Sequence, residues 1–372
     1  MGTYNFRIRA LDNTGAFADR NFSINVRNTA VDRIVLVDAK HAYSSPDGEN
    51  WSLRSNAGGT YVTYGNGMWI VAGPSTGTGR TTGSYMYSYD AVSWYQQTFP
   101  QFNSSGNNSK VVAPIFCNGR WFVAYNYGSG TNVAIFSTTT PEDGSSWQKA
   151  TTDLPSGAQM TNMIHDGQRF IAVASNTSST TTPVFYISTN GTSWAQGTTP
   201  INSNGTFNIT DLVYVNGTYI LSESSNARVW TSRDLSNWVL SILPAIPTSN
   251  FLHRLYYGNG RIVAPLQKKS NGDIGNFLTS DDGGITWVLR SLDNKFSRAT
   301  SVSGYMSAVF TLGGWIMCSS AITESTTEGR YLRTSTDGIT FESSAPDSLI
   351  AAATAGGNTT GAFNWIAAMP LT

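Results

Sequence analysis

One short motif recurs seven times along this chain: a Ser or Thr, a turn rich in Asp and Gly, then an aromatic residue. Its fullest copy is Ser280-Asp281-Asp282-Gly283-Gly284-Ile285-Thr286-Trp287. The other turns carry Asp47, Asp90, Asp143, Asn190, Asp234 and Asp337, and end on Trp51, Trp94, Trp147, Trp194, Trp238 and Phe341. The closing aromatics stand at 51, 94, 147, 194, 238, 287 and 341, so the shortest step is 43 residues and the longest 54. That spacing matches one four-stranded blade. A repeat this regular decides the architecture before any other reading of the residues.

A second motif is interleaved with the first. Asn66-Gly67, Asn118-Gly119, Asp166-Gly167, Asn216-Gly217, Asn259-Gly260 and Gly313-Gly314 each precede an apolar run such as Met68-Trp69-Ile70-Val71-Ala72. Such pairs tolerate positive φ and specify tight hairpins. The stretch Ala362-Phe363-Asn364-Trp365-Ile366-Ala367 reads as a degenerate final hairpin. The first acidic turn has no hairpin before it, and the last hairpin has no acidic turn after it. Six complete units therefore lie between two half-units. The expected fold is an all-β, seven-bladed β-propeller over residues 31–372, closed by N- and C-terminal strands sharing one blade. Closure removes the exposed sheet edges that invite aggregation.

Composition agrees with many short strands. Hydrophobic residues make up 40% of the 372, but charged residues only 12%, about half the usual share. No extended 3.6-residue apolar period stands out, and no helix is expected. The formal net charge is zero and no basic stripe is present, so nucleic acid is not an expected partner. No apolar run approaches the roughly 20 residues of a membrane span. The opening Met1-Gly2-Thr3-Tyr4 has no apolar export core, so an exported chain would have to come from a longer precursor.

Catalytic and metal signatures are sparse. His41, His165 and His253 are widely spaced and form no metal-binding pattern. No metal and no cofactor are expected. Cys117 and Cys318 fall in apolar strands of blades that are not neighbours, so free, buried thiols are expected rather than a disulfide.

The turn motif resembles the Asp-box of sialidases and related propellers, and Ser280 to Trp287 matches that pattern in full. The resemblance implies a propeller whose Asp-boxes join the third and fourth strands of each blade, opposite the face that bears a pocket. It does not imply sialidase activity. That chemistry needs three arginines, a Tyr-Glu pair and an Asp acid/base. Glu49 and Glu142 lie within acidic turns and Glu342 follows one, which leaves Glu223 (near Tyr219), Glu324 and Glu328. Asp38 and the arginines Arg80, Arg254, Arg298 and Arg330 stand outside the family's motifs. The acidic turns are read as architecture, with Asp as acceptor for the backbone N–H groups of the bend and Trp packing between sheets.

Both kinds of turn lie at one end of each blade. The opposite end carries the longer, more varied connections, where a rigid scaffold presents function. Arg80, Tyr85, Tyr127, Arg254, Lys268, Lys269, Asp273 and Arg330 are the candidate contacts there for a sugar or protein.

Residues 1–30 differ from the repeat. Two alternating strands flank Asp12-Asn13-Thr14-Gly15, a hairpin resembling the end of a cadherin-like or immunoglobulin-like repeat of bacterial surface and phage tail proteins. Two strands bury no core alone, so this segment is expected to attach to a larger assembly. The functional expectation is a non-enzymatic virion component: a tail fibre, tail tip or baseplate protein turned towards a host-surface glycan or protein, or towards neighbouring subunits. The alternatives are a secreted or cell-surface adhesin or carbohydrate-binding propeller, and a sialidase-like glycoside hydrolase.

Overall fold

The computed structural model describes the chain apart from residues 1, 12, 15, 27–32, 74–83, 100–109, 128–131, 151–157, 177–183, 198–208, 225–226, 248–249, 269–275, 293–305, 320–331, 345, 359–362 and 371–372. It divides into two compact units, Met1–Val31 and Asp32–Thr372. The first is a hairpin of β1 (Gly2–Leu11) and β2 (Phe17–Val26), paired antiparallel from Gly2↔Val26 to Leu11↔Phe17. Arg9 clamps Asp19 across it through two bonds of 2.7 and 2.8 Å.

The second unit is a seven-bladed β-propeller. The chain enters at β3 (Ile34–Val37), β4 (Ala42–Ser45) and β5 (Ser52–Ser55). Blade 2 holds β6 (Tyr61–Gly65), β7 (Met68–Ala72), β8 (Ser84–Ser88) and β9 (Tyr95–Thr98). Blade 3 holds β10 (Lys110–Cys117), β11 (Arg120–Tyr127), β12 (Asn132–Thr138) and β13 (Gln148–Lys149). Blade 4 holds β14 (Ala158–His165), β15 (Phe170–Asn176), β16 (Val184–Ser188) and β17 (Ala195–Gln196). Blade 5 holds β18 (Ile209–Val215), β19 (Thr218–Glu223), β20 (Arg228–Ser232) and β21 (Trp238–Leu240). In blade 6 the first strand is broken into β22 (Asn250–Leu252) and β23 (Tyr256–Gly258), followed by β24 (Arg261–Lys268), β25 (Asn276–Ser280) and β26 (Val288–Ser291). Blade 7 holds β27 (Met306–Thr311), β28 (Gly314–Ser319), β29 (Leu332–Ser335) and β30 (Glu342–Ser344). The chain ends with α1 (Asp347–Ala355) and β31 (Trp365–Ala368).

Blade 1 closes the ring in the order β31-β3-β4-β5. Residues 362–367 are therefore not a hairpin. They lead into one strand, which pairs Ile34↔Ala368 to Val37↔Trp365. Asn364 makes no turn, because its amide donates to the Val37 carbonyl at 2.7 Å and its side chain to that of Gly59 at 3.0 Å. The helix was also not expected. Only Leu349, Ala352 and Ala353 of α1 are buried, packed against Trp51 and Phe363, and nine residues are too few for a periodic signal to stand out.

Seven clusters of buried residues fill the seven seams between blades. Second strands serve two seams at once because successive side chains point to opposite faces. In β7, Trp69 and Val71 face blade 1, whereas Met68, Ile70 and Ala72 face blade 3. Each closing aromatic of an acidic turn reaches the preceding blade. Trp238 stacks on Phe185 at 5.6 Å, and Phe341 meets Phe277 edge-on at 5.2 Å.

The acidic turns of blades 1, 2, 4, 5 and 7 share one geometry, that of blade 6 is one residue longer, and that of blade 3 is a short 3-10 turn capped by Asp143. In blade 1, Asp47 Oδ1 accepts from the Glu49 and Asn50 amides at 2.9 and 2.8 Å, and the Ser45 hydroxyl accepts from Gly48 N at 2.8 Å. Asn190 reproduces this in blade 4 with bonds of 2.9 Å from Thr192 N and Ser193 N. Gly48, Gly191 and Gly338 supply the positive φ of the turn, while blades 2 and 5 force Ala91 (φ 60) and Leu235 (φ 67) into it. Both Cys117 and Cys318 are free, the first half-buried and the second buried, and burial pushes each thiol up to about 12.

Candidate functional site

In blades 2–7 the first-to-second and third-to-fourth turns share one face, here the turn face, and in blade 1 the turn between β4 and β5 lies there too. The second-to-third and fourth-to-first connections share the other, the loop face. First strands line the axis. Several of them are irregular, with register shifts at Val112/Ile115 in β10, Met160/Asn162 in β14 and Ile209/Asp211 in β18. Blade 6 goes further, leaving residues 253–255 between β22 and β23 out of the ladder. A bulge frees backbone groups and re-aims side chains, and here both are used.

The freed groups are taken up by side chains of the neighbouring blade. Asn126 of blade 3 exchanges two 2.8 Å bonds with the Met160 backbone of blade 4. Asn162 of blade 4 donates to the Asp211 carboxylate and, at 2.8 Å, to the Leu212 carbonyl of blade 5. Asp211 accepts from the Leu255 amide of blade 6 at 2.8 Å and from Arg254 Nη1 at 3.1 Å. The Tyr256 and Ser307 hydroxyls continue the chain from blade 6 to blade 7. Ser307 then accepts from the Ile366 amide of blade 1 at 3.3 Å.

Arg254 crosses the axis. Its guanidinium carbon lies 5.9 Å from the Tyr61 ring of blade 2 and 5.6 Å from the Trp365 ring of blade 1. Both distances are within cation–π range. Tyr61 and Trp365 open their first strands, so this cluster sits towards the loop-face end of the axis. Burial alone opposes the charge on Arg254, but the Asp211 carboxylate outweighs it and raises its pKa. Burial pushes the Asp211 carboxyl above its usual value, against the pull of Arg254 and of the Leu255 and Leu212 amides. His253 beside them is held neutral by burial and the Arg254 charge, its pKa brought down to about 3. The cluster is thus a buried ion pair inside a hydrogen-bonded belt.

Of the residues expected at the loop face, Arg254 is therefore at the axis rather than in a solvated connection. Tyr85 is wholly buried in β8: its hydroxyl donates to the Pro141 carbonyl and accepts from Trp147 Nε1 at 2.9 Å. That partner comes from the acidic turn of blade 3, which no local pattern around Tyr85 announces. Tyr127 ends β11 and Lys268 ends β24, both at the loop-face end. Arg80, Lys269, Asp273 and Arg330 lie outside the described residues, as do Arg298, Glu324 and Glu328.

The sialidase-type roles do not assemble at the described positions. Glu223 is fully buried at the loop-face end of β19. Tyr219 stands near the other end, four residues away or about 13 Å along a strand. Its hydroxyl bonds Asp166 and accepts from Arg169 at 2.8 Å on the turn face. Asp38 is a hub instead of an open acid. It accepts from the Lys40 and His41 amides, His41 Nδ1, the Tyr43 hydroxyl at 3.0 Å and Asn358 Nδ2 at 2.9 Å, tying blade 1 to the chain after α1. Among the described residues no group of three or more His, Cys, Asp or Glu is placed to hold a metal ion, and no helix is long and apolar enough to cross a membrane.

No protein-family model matches the chain, and no curated protein matches it in sequence. Solved structures do. One described as puromycin hydrolase superposes with a TM-score of 0.52 at 9% identity, over 84% of this chain and 54% of that one. A structure of YCF48 bound to D1 peptide gives 0.44 at 17% identity, over 71% and 82%. An alpha-L-arabinanase of Penicillium chrysogenum complexed with arabinobiose gives 0.47 at 13% identity, over 78% and 93%. At such identities the likeness concerns the propeller fold alone, which hosts many activities.

Proposed function

We propose that this chain is a non-catalytic display module of a virion, in a tail fibre, tail tip or baseplate, with the loop face turned to a host surface or to neighbouring subunits. The observation that carries this reading is the asymmetry of the ring. On the turn face each third-to-fourth turn is a hydrogen-bonded bend whose closing aromatic packs into the seam with the preceding blade. At the loop-face ends the strands are separated by the longer stretches of sequence, between Ala72 and Ser84, Thr98 and Lys110, Gln196 and Ile209, Ser291 and Met306, and Ser319 and Leu332. A rigid disc bearing varied loops on one side is a binding platform. At the loop-face end of the axis, Asp211 and Arg254 are committed to holding blades together, which leaves recognition to the loops. The setting is supported by the Ser-, Thr-, Asn- and Gly-rich, charge-poor composition. It is also supported by the separate hairpin unit, which presents ten-residue strands without a core of its own and suits attachment.

The test is a glycan array and a whole-cell binding assay with the purified chain, followed by immunogold labelling of particles from the source culture. Binding to a glycan or cell surface without turnover, and label on the particle, are the expected results. Turnover of an arrayed glycan, reduced by Glu223→Gln, would sink the reading in favour of a glycoside hydrolase.

A further inference from the structure

On the turn face, where blade 7 meets blade 1, lies a cavity of about 360 Å³. This is at the low end of ligand pockets, which run roughly from 300 to 1,000 Å³. Asp47 and Glu49 of blade 1 and Asp337 and Glu342 of blade 7 line it, together with Trp315 and Ile316. A smaller hollow of about 60 Å³ beside it shares Asp47 and is lined by Arg33.

The repeat explains why a cavity stands here. Strand register aligns Ile262↔Ser280, Phe170↔Ser188 and Trp315↔Ser335. The residues just before these aromatics and aliphatics, Arg261, Arg169 and Gly314, thus occupy one position in blades 6, 4 and 7. In blade 6, Arg261 clamps Asp281 through bonds of 2.6 and 2.9 Å and reaches over the seam to the Asp337 carbonyl of blade 7. In blade 4, Arg169 reaches over its seam to the Tyr219 hydroxyl of blade 5 at 2.8 Å. Blade 7 has only Gly314, at φ +115, where a Cβ would stand 2.4 Å from the Ser335 carbonyl oxygen. No side chain can grow from that position, so the place that an internal guanidinium fills at two other seams is open at this one. Asp337 uses Oδ1 for its turn, accepting from Ile339 N at 2.7 Å and Thr340 N at 3.0 Å. Glu49 and Glu342 are exposed at the cavity.

We propose that this cavity receives the guanidinium of an arginine side chain from a partner polypeptide. The incoming group spans this seam as Arg261 spans the neighbouring one, but takes Glu49 and Glu342 as its carboxylates, because Thr336 stands where blade 6 has Asp281. Charge-assisted bonds to the rim carboxylates and a planar fork that suits them make arginine the fitting cation. The site lies on the face opposite the display loops, so it stands or falls separately from the reading above.

The experiment titrates the full chain with acetyl-Gly-Arg-Gly-amide, its citrulline counterpart and agmatine, by calorimetry and NMR. The arginine peptide should saturate, the citrulline peptide should not, and agmatine should bind more weakly than the peptide. The double variant Glu49→Gln/Glu342→Gln should lose about tenfold in affinity, about 1.4 kcal/mol. Glu142→Gln, on the acidic turn of blade 3, should leave binding unchanged. Failure of the arginine peptide to saturate at millimolar concentration, or equal binding by the double variant or by citrulline, would overturn the site. Agmatine binding as tightly as the peptide would overturn its assignment to a polypeptide.

Discussion

Asn190 does in blade 4 what an aspartate does in blades 1, 2, 5 and 7, with the same acceptor atom and the amides two and three residues on. Geometry therefore needs an oxygen acceptor, while the charge adds a dependence on pH. Burial opposes the charge of Asp47, but the Asn50 and Glu49 amides and the Ser45 hydroxyl hold its pKa down at about 2. Asp90, Asp143, Asp234, Asp282 and Asp337 are lowered too. A carboxyl lowered by folding contributes stability that is complete above its unfolded value of 3.8 and is lost as pH falls through the folded value. His253 acts earlier. Folding brings it from 6.5 to about 3, so its contribution is complete above 6.5 and fades as pH drops from there towards 3. The melting temperature should be flat above pH 7, decline below 6.5 and fall more steeply below 4. In His253→Gln the upper limb of that decline should vanish while the lower limb remains. A melting temperature constant down to pH 3 would refute both attributions.

Irregular first strands are the weak elements of a blade, and the belt of Asn162, Asp211 and Arg254 compensates for them. Removing one partner of a buried pair leaves an uncompensated charge, which costs about 3–5 kcal/mol. Arg254→Met should cost that much in chemical denaturation. Adding Asp211→Asn to it should recover part of the loss, since the uncompensated charge is gone and the one amide oxygen keeps either Leu212 N or Leu255 N, which donate to different oxygens of the carboxylate. Additive losses in the double variant would show that the two groups act independently. These contacts were hidden from sequence reading because Arg254 and Asp211 lie 43 residues apart. The acidic turns were legible because the Ser hydroxyl and the Asp or Asn carboxyl or amide oxygen that shape them bond residues within four positions, as in blades 1, 4, 6 and 7. Tyr85 illustrates the same limit. Its strand is plain, but the acceptor that buries its hydroxyl is 56 residues away.

At the scale of the molecule, the ring depends on a single strand. β31 supplies the axial edge of blade 1. Ile366 packs in the seam with blade 7, and Trp365 is packed in the seam with blade 2. Deleting residues 365–372 would leave β3 paired with β4 alone and open both seams together. The expected result is loss of the cooperative calorimetric transition, or a fall in melting temperature large enough to leave the chain unfolded at 37 °C. A truncated chain that melts like the intact one would contradict closure by that strand.

The number of blades and the identity of the turn face were written in the sequence, because hairpin and acidic-turn chemistry is local and recurs at blade spacing. The sharing of one blade by the two ends was also legible, from a count of half-units. Only the tertiary structure decided that the C-terminus gives one strand and the N-terminal part three, that α1 plugs the seam beside Trp51, and that Arg254 lies across the axis. Only there, too, does the place of Gly314 become a cavity, since a missing side chain has meaning only against the seam it would have spanned.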